Sequence, residues 1–254
     1  MGEVGSVSRV AIVTGAAQGM GQAFAERLGR DGTVVVCADL RESVETVRRV
    51  ESVGGKAISK VVDITDPSAV IGLADFTQQQ LGGADILVNN AALHGNPLTP
   101  VMDMSFDVWR RVMSVNLDAP FLLTKAVLGG MIAKRWGRII NMSSSSLNSM
   151  APGGMTHYIA SKGGIVGFTR GLANEVGGFG ITVNAIAPHG VNSPGAAAFP
   201  DAEEINKFVV AGQAIKRLTE PEEVAGAVGF LASDEASMIT AQVIHVDAGV
   251  VRAG

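Results

Sequence analysis

Cysteine and tyrosine each occur once in 254 residues, and aromatic residues make up only 5% of the chain. A single cysteine closes no disulfide within the chain and builds no thiolate cluster, which excludes a disulfide scaffold and a cysteine-rich zinc module. Cys37, set in an apolar run, reads as a small buried residue in a reducing, cytoplasmic compartment. A basic excess is missing too: 20 Lys and Arg stand against 24 Asp and Glu, for a net charge of −4. Such a chain offers no positive field for nucleic acid. The four histidines, His94, His157, His189 and His245, show no metal-ligand spacing, so no metal is expected.

Long apolar runs are lacking as well. The most apolar stretch, Phe121 to Ala133, is interrupted by Lys125 and is too short to cross a bilayer. No basic-then-apolar signal segment is read at the start, where Glu3 follows at once. Met1 to Ser6 matches a myristoylation pattern, but so short a match reads as chance, and one acyl chain anchors only marginally. No linker-like segment divides the chain, and 47% hydrophobic against 17% charged residues is material for one extensive core. A single soluble domain over residues 1–254 is therefore expected.

What is present is concentrated in three places. The lone Tyr158 stands four residues before Lys162, so phenol and ammonium share one helix face, a turn apart. A lysine there would make the phenolate cheaper to form and the tyrosine a usable proton donor and acceptor. Taken alone, the pair reads equally as an amphipathic tyrosine beside a solvated lysine. The second place is the apolar β-branched run Arg9 to Val13, followed by Thr14-Gly15-Ala16-Ala17-Gln18-Gly19-Met20-Gly21 and then apolar residues at helical spacing. A strand, a glycine-rich turn and a helix in that order put backbone N–H groups where a pyrophosphate can sit. Third, the strand-like Thr33 to Ala38 ends at Asp39, 18 positions beyond Gly21. A carboxylate there accepts hydrogen bonds from ribose hydroxyls and repels a 2′-phosphate, which favours NAD(H) over NADP(H). Arg41 is the counter-argument, because a guanidinium can pair with a phosphate. Asp39 as a mere strand-end residue is the plainer alternative.

Thr14-Gly15-x3-Gly19-x-Gly21, Asp63-Ile64, Asn89-Asn90-Ala91, Asn116, a serine cluster and Tyr158-x3-Lys162 follow one another along the chain. In that order and spacing they resemble the short-chain dehydrogenase/reductase family, from Val7 to about Val251. The resemblance implies that Tyr158 exchanges a proton with the substrate oxygen and that Lys162 lowers the phenol pKa and bonds the nicotinamide ribose. It also implies that a serine hydroxyl steadies the developing charge, and that Asn116, mid-helix, supports a water leading from Lys162 to solvent. Counting from the strand Gly137 to Met142 puts the catalytic serine on Ser144, whereas counting back from Tyr158 puts it on Ser145. Ser144 is chosen, with the other serines capping the loop or facing solvent.

For the cofactor, the resemblance implies contacts from Gly15, Gln18, Gly19, Met20 and Gly21 in the turn and from Asp39 and Leu40 at the ribose. Asp63 and Ile64 would meet the adenine, and the backbone of Asn90 and Ala91 would border the adenosine while Asn89 ties strands together. Tyr158, Lys162, Pro188, Val191 and Ser193 would surround the nicotinamide, Ser193 replacing a more common threonine. His189 stands where the family usually has glycine and reads as a loop histidine or as a group that tunes the site.

The implied fold is α/β: a single-domain, Rossmann-like, doubly wound and mostly parallel seven-stranded sheet with helices on both faces. Strands are expected to begin near Val10, Val34, Ala57, Ile86, Arg138, Thr182 and Gln242, with helices from about Ser105 to Lys134 and Thr156 to Val176. By resemblance these helices and the segment Ile239 to Val251 meet other subunits in a homotetramer. The substrate pocket is expected from His94 to Leu98, Leu147 to Met155 and a lid at about 189–214 with a helix from Asp201 to Val210. Leu147, Met150, Met155 and Phe199 are the candidate walls, and no arginine in these segments stands ready to clamp an anion. The reading is an NAD(H)-dependent oxidoreductase interconverting a small, largely apolar secondary alcohol and its ketone. A β-ketoacyl-thioester reductase and a non-catalytic nucleotide-binding protein are the alternatives.

Overall fold

The computed structural model describes residues 8–94, 98–149 and 151–252. The chain alternates strand and helix: β1 (Val10–Thr14), α1 (Gly19–Arg30), β2 (Val34–Asp39), α2 (Val44–Ser52), β3 (Lys56–Val61), α3 (Pro67–Leu81) and β4 (Ile86–Asn89). It continues through α4 (Phe106–Met113), α5 (Ala119–Lys134), β5 (Gly137–Met142), α6 (Thr156–Val176), β6 (Ile181–Pro188), α7 (Pro194–Ala197), α8 (Ala202–Gly212), α9 (Pro221–Ala232) and β7 (Val243–Val246). The seven strands form one sheet in the order β3-β2-β1-β4-β5-β6-β7, every neighbouring pair parallel.

Burial explains the strand sequences. β1, β4, β5 and β6 are buried at every position, so their apolar runs do not alternate with polar residues. One core joins the sheet to α1, α2 and α9 through Phe24, Leu28, Val50, Val228 and Leu231. A second joins the other face to α3, α5 and α6 through Leu73, Leu123, Met131, Leu172 and Val176. The chain builds outward from β1 to β3 and then returns to β4 on the far side of β1. That reversal opens a crevice at the C-terminal ends of β1 and β4, where such sheets bind ligands.

Element edges differ modestly from the expectation. β3 starts at Lys56 and β7 at Val243, and α8 runs on to Gly212. The expected helix 105–134 is a helical run of 29 residues, but Ser114–Asp118 forms a π turn between α4 and α5. By length and composition this run is apolar enough to cross a membrane, although Lys125 interrupts its most apolar stretch. Within the fold it is a layer helix: Leu123, Val127 and Met131 enter the core, while Phe106, Val108 and Phe121 stay exposed. Val7, Met150 and the Met1-to-Ser6 pattern lie outside the described residues.

Candidate active site

The glycine turn is built as its sequence requires. Gly15 and Gly19 adopt φ of 64° and 59°, a region that side chains disfavour. Gln18 precedes α1 without a side-chain cap, so the first-turn N–H groups of α1 open onto the crevice. Gly21 does not face the crevice, which departs from the expected contact. A Cβ there would collide with the Gly15 carbonyl oxygen and fall 2.7 Å from Asn90 Nδ2, so its glycine lets α1 pack against the turn. Asn90 locks the same turn by donating through Nδ2 to the Thr14 carbonyl at 2.8 Å. Asn89 donates to Asn141 Oδ1 at 2.8 Å, tying β4 to β5 as expected. At the end of β2, the two Asp39 carboxylate oxygens accept from the backbone N–H of Ala17 at 3.0 Å and of Arg41 at 3.2 Å. The carboxylate is thereby fixed beside the turn.

A cleft of about 810 Å³ runs from this turn across the ends of β1, β4, β5 and β6. Gly15, Gln18, Gly19, Met20, Asp39 and Leu40 line one end, with Asp63, Ile64, Asn90 and Ala91 beyond them. Ser144, Tyr158, Lys162, Pro188, Val191 and Ser193 line the other end. Of the expected cofactor residues only Gly21 stands back from it. Asp63 is exposed and holds Thr65 through its backbone N–H and hydroxyl, which keeps its pKa below the ordinary carboxylate value. Ser193 caps α7 by accepting from Ala196 N at 3.3 Å, leaving its own hydroxyl proton free to donate.

At the reacting end, Ser144 and Tyr158 line the cleft together, and the Ser144 hydroxyl opposes the rise in the phenol pKa. Of Ser144 and Ser145, Ser144 is the one that lines the cleft. Ser145 is wholly buried and points the other way: its Oγ donates to the Ala187 carbonyl at 2.8 Å and meets His245 Nδ1 at 2.8 Å. Ser143 is also buried, donating to the Lys162 carbonyl at 3.3 Å. Neither faces solvent, contrary to expectation, because the loop leaves β5 inside the molecule and its hydroxyls must find partners there. Ser146 lines the cleft and donates its N–H to Ser144 Oγ.

Tyr158 and Lys162 share the expected face of α6, with the ammonium 5.6 Å from the centre of the phenol ring. Burial dominates both groups. It raises the Tyr158 pKa, opposed by the Ser144 hydrogen bond, and pushes the Lys162 ammonium down to about 8. The expected lowering of the phenol is therefore not what this environment yields: desolvation of the phenolate outweighs the favourable terms. Lys162 Nζ donates to the Met142 carbonyl at 2.8 Å, which aims the ammonium along the cleft floor.

Asn116 lies beneath the cleft, in the π turn, and not in its wall. Its Oδ1 accepts from Leu93 N at 2.8 Å, and its Nδ2 donates to Leu93 O at 2.9 Å and to Ser161 Oγ at 3.0 Å. The side chain thus clamps both backbone groups of Leu93, and an isolated π turn at such a place fits a positional need. Pro152, Met155, Phe199, Ile205 and Val209 supply apolar walls next to His94, His189 and Asn206. Leu147 leaves the wall and packs towards Gly163 on α6. Arg111, Ser114 and Val115 line the cleft without having been foreseen, although their spacing just ahead of Asn116 marks one helical face. Among the described residues no group of three or more His, Cys, Asp or Glu is placed to hold a metal ion.

Fold, crevice and site together define a nucleotide-dependent oxidoreductase. The chain belongs to the short-chain dehydrogenase/reductase family: residues 15–251 match the family described as enoyl-(acyl carrier protein) reductase. It is 40% identical over 247 residues to a 3-oxoacyl-[acyl-carrier-protein] reductase, FabG, of Pseudomonas aeruginosa, covering 95% of this chain and 97% of that one. Among solved structures, a putative 2-deoxy-D-gluconate 3-dehydrogenase from Agrobacterium tumefaciens with bound NADP superposes with a TM-score of 0.87 at 35% identity, over 95% and 96% of the two chains. An NAD+-bound xylitol dehydrogenase superposes with a TM-score of 0.88 at 30% identity, over 96% and 100%.

Proposed function

We propose that this protein interconverts a secondary alcohol and its ketone with NAD(H), Tyr158 moving the proton. The observation that carries the reading is that Ser144 and Tyr158 both line the cleft, with the Lys162 ammonium 5.6 Å from the centre of the phenol ring. The residues at the other end of the cleft suit a dinucleotide: an uncapped helix start for phosphate and a fixed carboxylate, Asp39, for ribose hydroxyls. When bound, the nicotinamide supplies hydride to the carbonyl carbon or takes it back. Tyr158 gives its phenolic proton to the carbonyl oxygen as the carbon–oxygen double bond becomes a single bond, and removes it in the oxidative direction. Ser144 donates to that oxygen as its charge grows. Lys162 steadies the phenolate electrostatically and serves the nicotinamide ribose. Asn116 contributes by holding Leu93. The segment 189–214, with α7 and α8, acts as the lid over the substrate.

Asp39 supports NAD(H) over NADP(H), since a carboxylate there repels a 2′-phosphate. A second reading, reduction of a 3-oxoacyl thioester, is favoured by the 40% identity to the Pseudomonas enzyme. Against it, Asp201, Glu203 and Glu204 stand exposed at the start of α8, whose Ile205, Asn206 and Val209 line the cleft. Lys207 pairs with Glu203 and Glu204 at 2.8 and 3.3 Å, so the repulsion this edge offers a phosphate-bearing acyl carrier falls mainly to Asp201 and is opposed by Arg111 in the cleft lining. The chain is read as a homotetramer in the cytoplasm; exposed Phe106, Phe121, Ile215, Phe230 and Met238 support association with other copies. Initial rates with NADH and with NADPH, across aryl ketones, alicyclic ketones and a 3-oxoacyl thioester, test the reading. Turnover of simple ketones with NADH is expected. Turnover confined to the thioester with NADPH would replace this reading by the second.

A further inference from the structure

The cleft holds a group that the proposed proton transfer does not use. The His94 imidazole lies nearly parallel to the Tyr158 ring, the centroids 6.2 Å apart and the planes inclined by 18°. It lines the cleft, and among the described residues neither ring nitrogen has a hydrogen-bond partner. Its position is held from both ends. Leu93, the preceding residue, is clamped at its N–H and carbonyl by Asn116. On the lid side, a Cβ on Gly195 would fall 2.8 Å from His94 Cε1 and 3.1 Å from Nδ1, so α7 closes directly against the imidazole edge. A half-buried ring with two polar atoms, packed beside the reacting tyrosine and against α7, keeps its nitrogens available to a group that enters the cleft.

We infer that His94 recognises a second oxygen on the substrate, a hydroxyl or carbonyl on the carbon next to the reacting carbonyl, so that the favoured substrates are vicinally oxygenated ketones. The inference rests on the ketone-reduction reading of this same site. Burial and the neighbouring Lys162 ammonium hold the imidazole pKa down to about 4. The ring is accordingly neutral at physiological pH, with one nitrogen donating and the other accepting, and it does not compete for the transferred proton. It therefore binds and orients either a hydroxyl or a carbonyl. A site built to bond a substrate oxygen discriminates strongly against an analogue without it, because its own polar atoms are then left unpaired.

The test compares cyclohexanone with 2-hydroxycyclohexanone, and butanone with acetoin, in NADH-dependent reduction by the wild type, His94→Phe and His94→Gln. The readout is the ratio of kcat/KM, oxygenated over plain, within each pair. Phe keeps a flat ring over Tyr158 and removes only the nitrogens, while Gln returns a donor and an acceptor. The wild-type ratio is expected to be about 10 to 100, to fall towards one in His94→Phe, chiefly through KM, and to recover in part in His94→Gln. Thermal melts and NADH binding by each variant report the fold and the coenzyme site separately. Plain and oxygenated ketones turned over equally by the wild type, or a ratio unmoved by His94→Phe, overturns the assignment while leaving ketone reduction intact. A wild type that binds NADH but reduces neither member of either pair overturns the ketone reading and this inference with it.

Discussion

Replacing Asn116 by leucine, close to it in volume but without polar atoms, is the perturbation whose consequences the structure specifies most fully. Three hydrogen bonds disappear: the one accepted from Leu93 N at 2.8 Å and those donated to Leu93 O at 2.9 Å and Ser161 Oγ at 3.0 Å. Ser161 keeps a partner, because its hydroxyl donates to the Tyr158 carbonyl at 2.7 Å. The N–H and carbonyl of Leu93, which is half-buried, lose theirs. At about 1–3 kcal/mol for each orphaned group, and with some water able to reach Leu93, the expected loss is about 2–4 kcal/mol. For a domain of this size that corresponds to a fall in Tm of roughly 5–15 °C. Ser161→Ala, which removes one of the three bonds together with the bond to the Tyr158 carbonyl but leaves Leu93 clamped, is expected to cost about 1–2 kcal/mol. The assay is thermal unfolding followed by circular dichroism, with turnover measured well below the transition. Because Leu93 leads directly into His94 beside Tyr158, turnover at low temperature should fall even where Asn116→Leu is folded. A melting shift under about 2 °C, or the same shift for Asn116→Leu and Ser161→Ala, would refute the clamp.

Other consequences are equally open to measurement. Asp39→Ala should narrow the preference for NADH over NADPH by about tenfold or more, read as the ratio of kcat/KM for the two coenzymes; an unchanged ratio removes the carboxylate from coenzyme selection. Gly21→Ala should weaken coenzyme binding by more than about tenfold, seen by NADH fluorescence titration, because the new methyl meets the Gly15 carbonyl and Asn90, and the turn must move. Lys162 is held down to about 8 from 10.5, so between those values the unfolded chain binds the proton that the folded chain lacks. Its contribution to stability is thus fully present above pH 10.5 and lost as pH falls through about 8, by about 3 kcal/mol as an upper bound. Denaturant titrations of wild type and Lys162→Met should accordingly diverge in favour of the wild type as pH rises from 8 to 10, and parallel curves would contradict a buried ammonium.

Much of this was legible in the sequence because the residues concerned answer to local rules. The strand, glycine turn and helix around Gly15 and Gly19, the acid at the end of β2, and the one-turn spacing of Tyr158 and Lys162 are all short-range patterns. So are the apolar runs of β1, β4, β5 and β6, which forecast a sheet buried on both faces. What escaped depends on contacts between distant segments. That Ser145 turns towards Ala187 and His245 while Ser144 lines the cleft with Tyr158 follows from the direction in which the loop leaves β5, not from the serine run itself. The clamp of the Asn116 side chain on Leu93, 23 residues earlier, likewise needs two distant segments to meet. The rise in the Tyr158 pKa comes from burial by the whole fold, which no pairwise spacing reveals. His94 drew attention only as a residue of the pocket wall; its stacking on Tyr158 and contact with Gly195 need three separate segments to meet.

The most direct test of the central claim is the rate of NADH-dependent ketone reduction by wild type and Tyr158→Phe, with NADH affinity measured on both. The account predicts measurable turnover by the wild type, a loss of about 10²–10⁴-fold or more in Tyr158→Phe, and NADH binding little changed between them. Near-normal rates in Tyr158→Phe would contradict the assignment of the proton to this phenol.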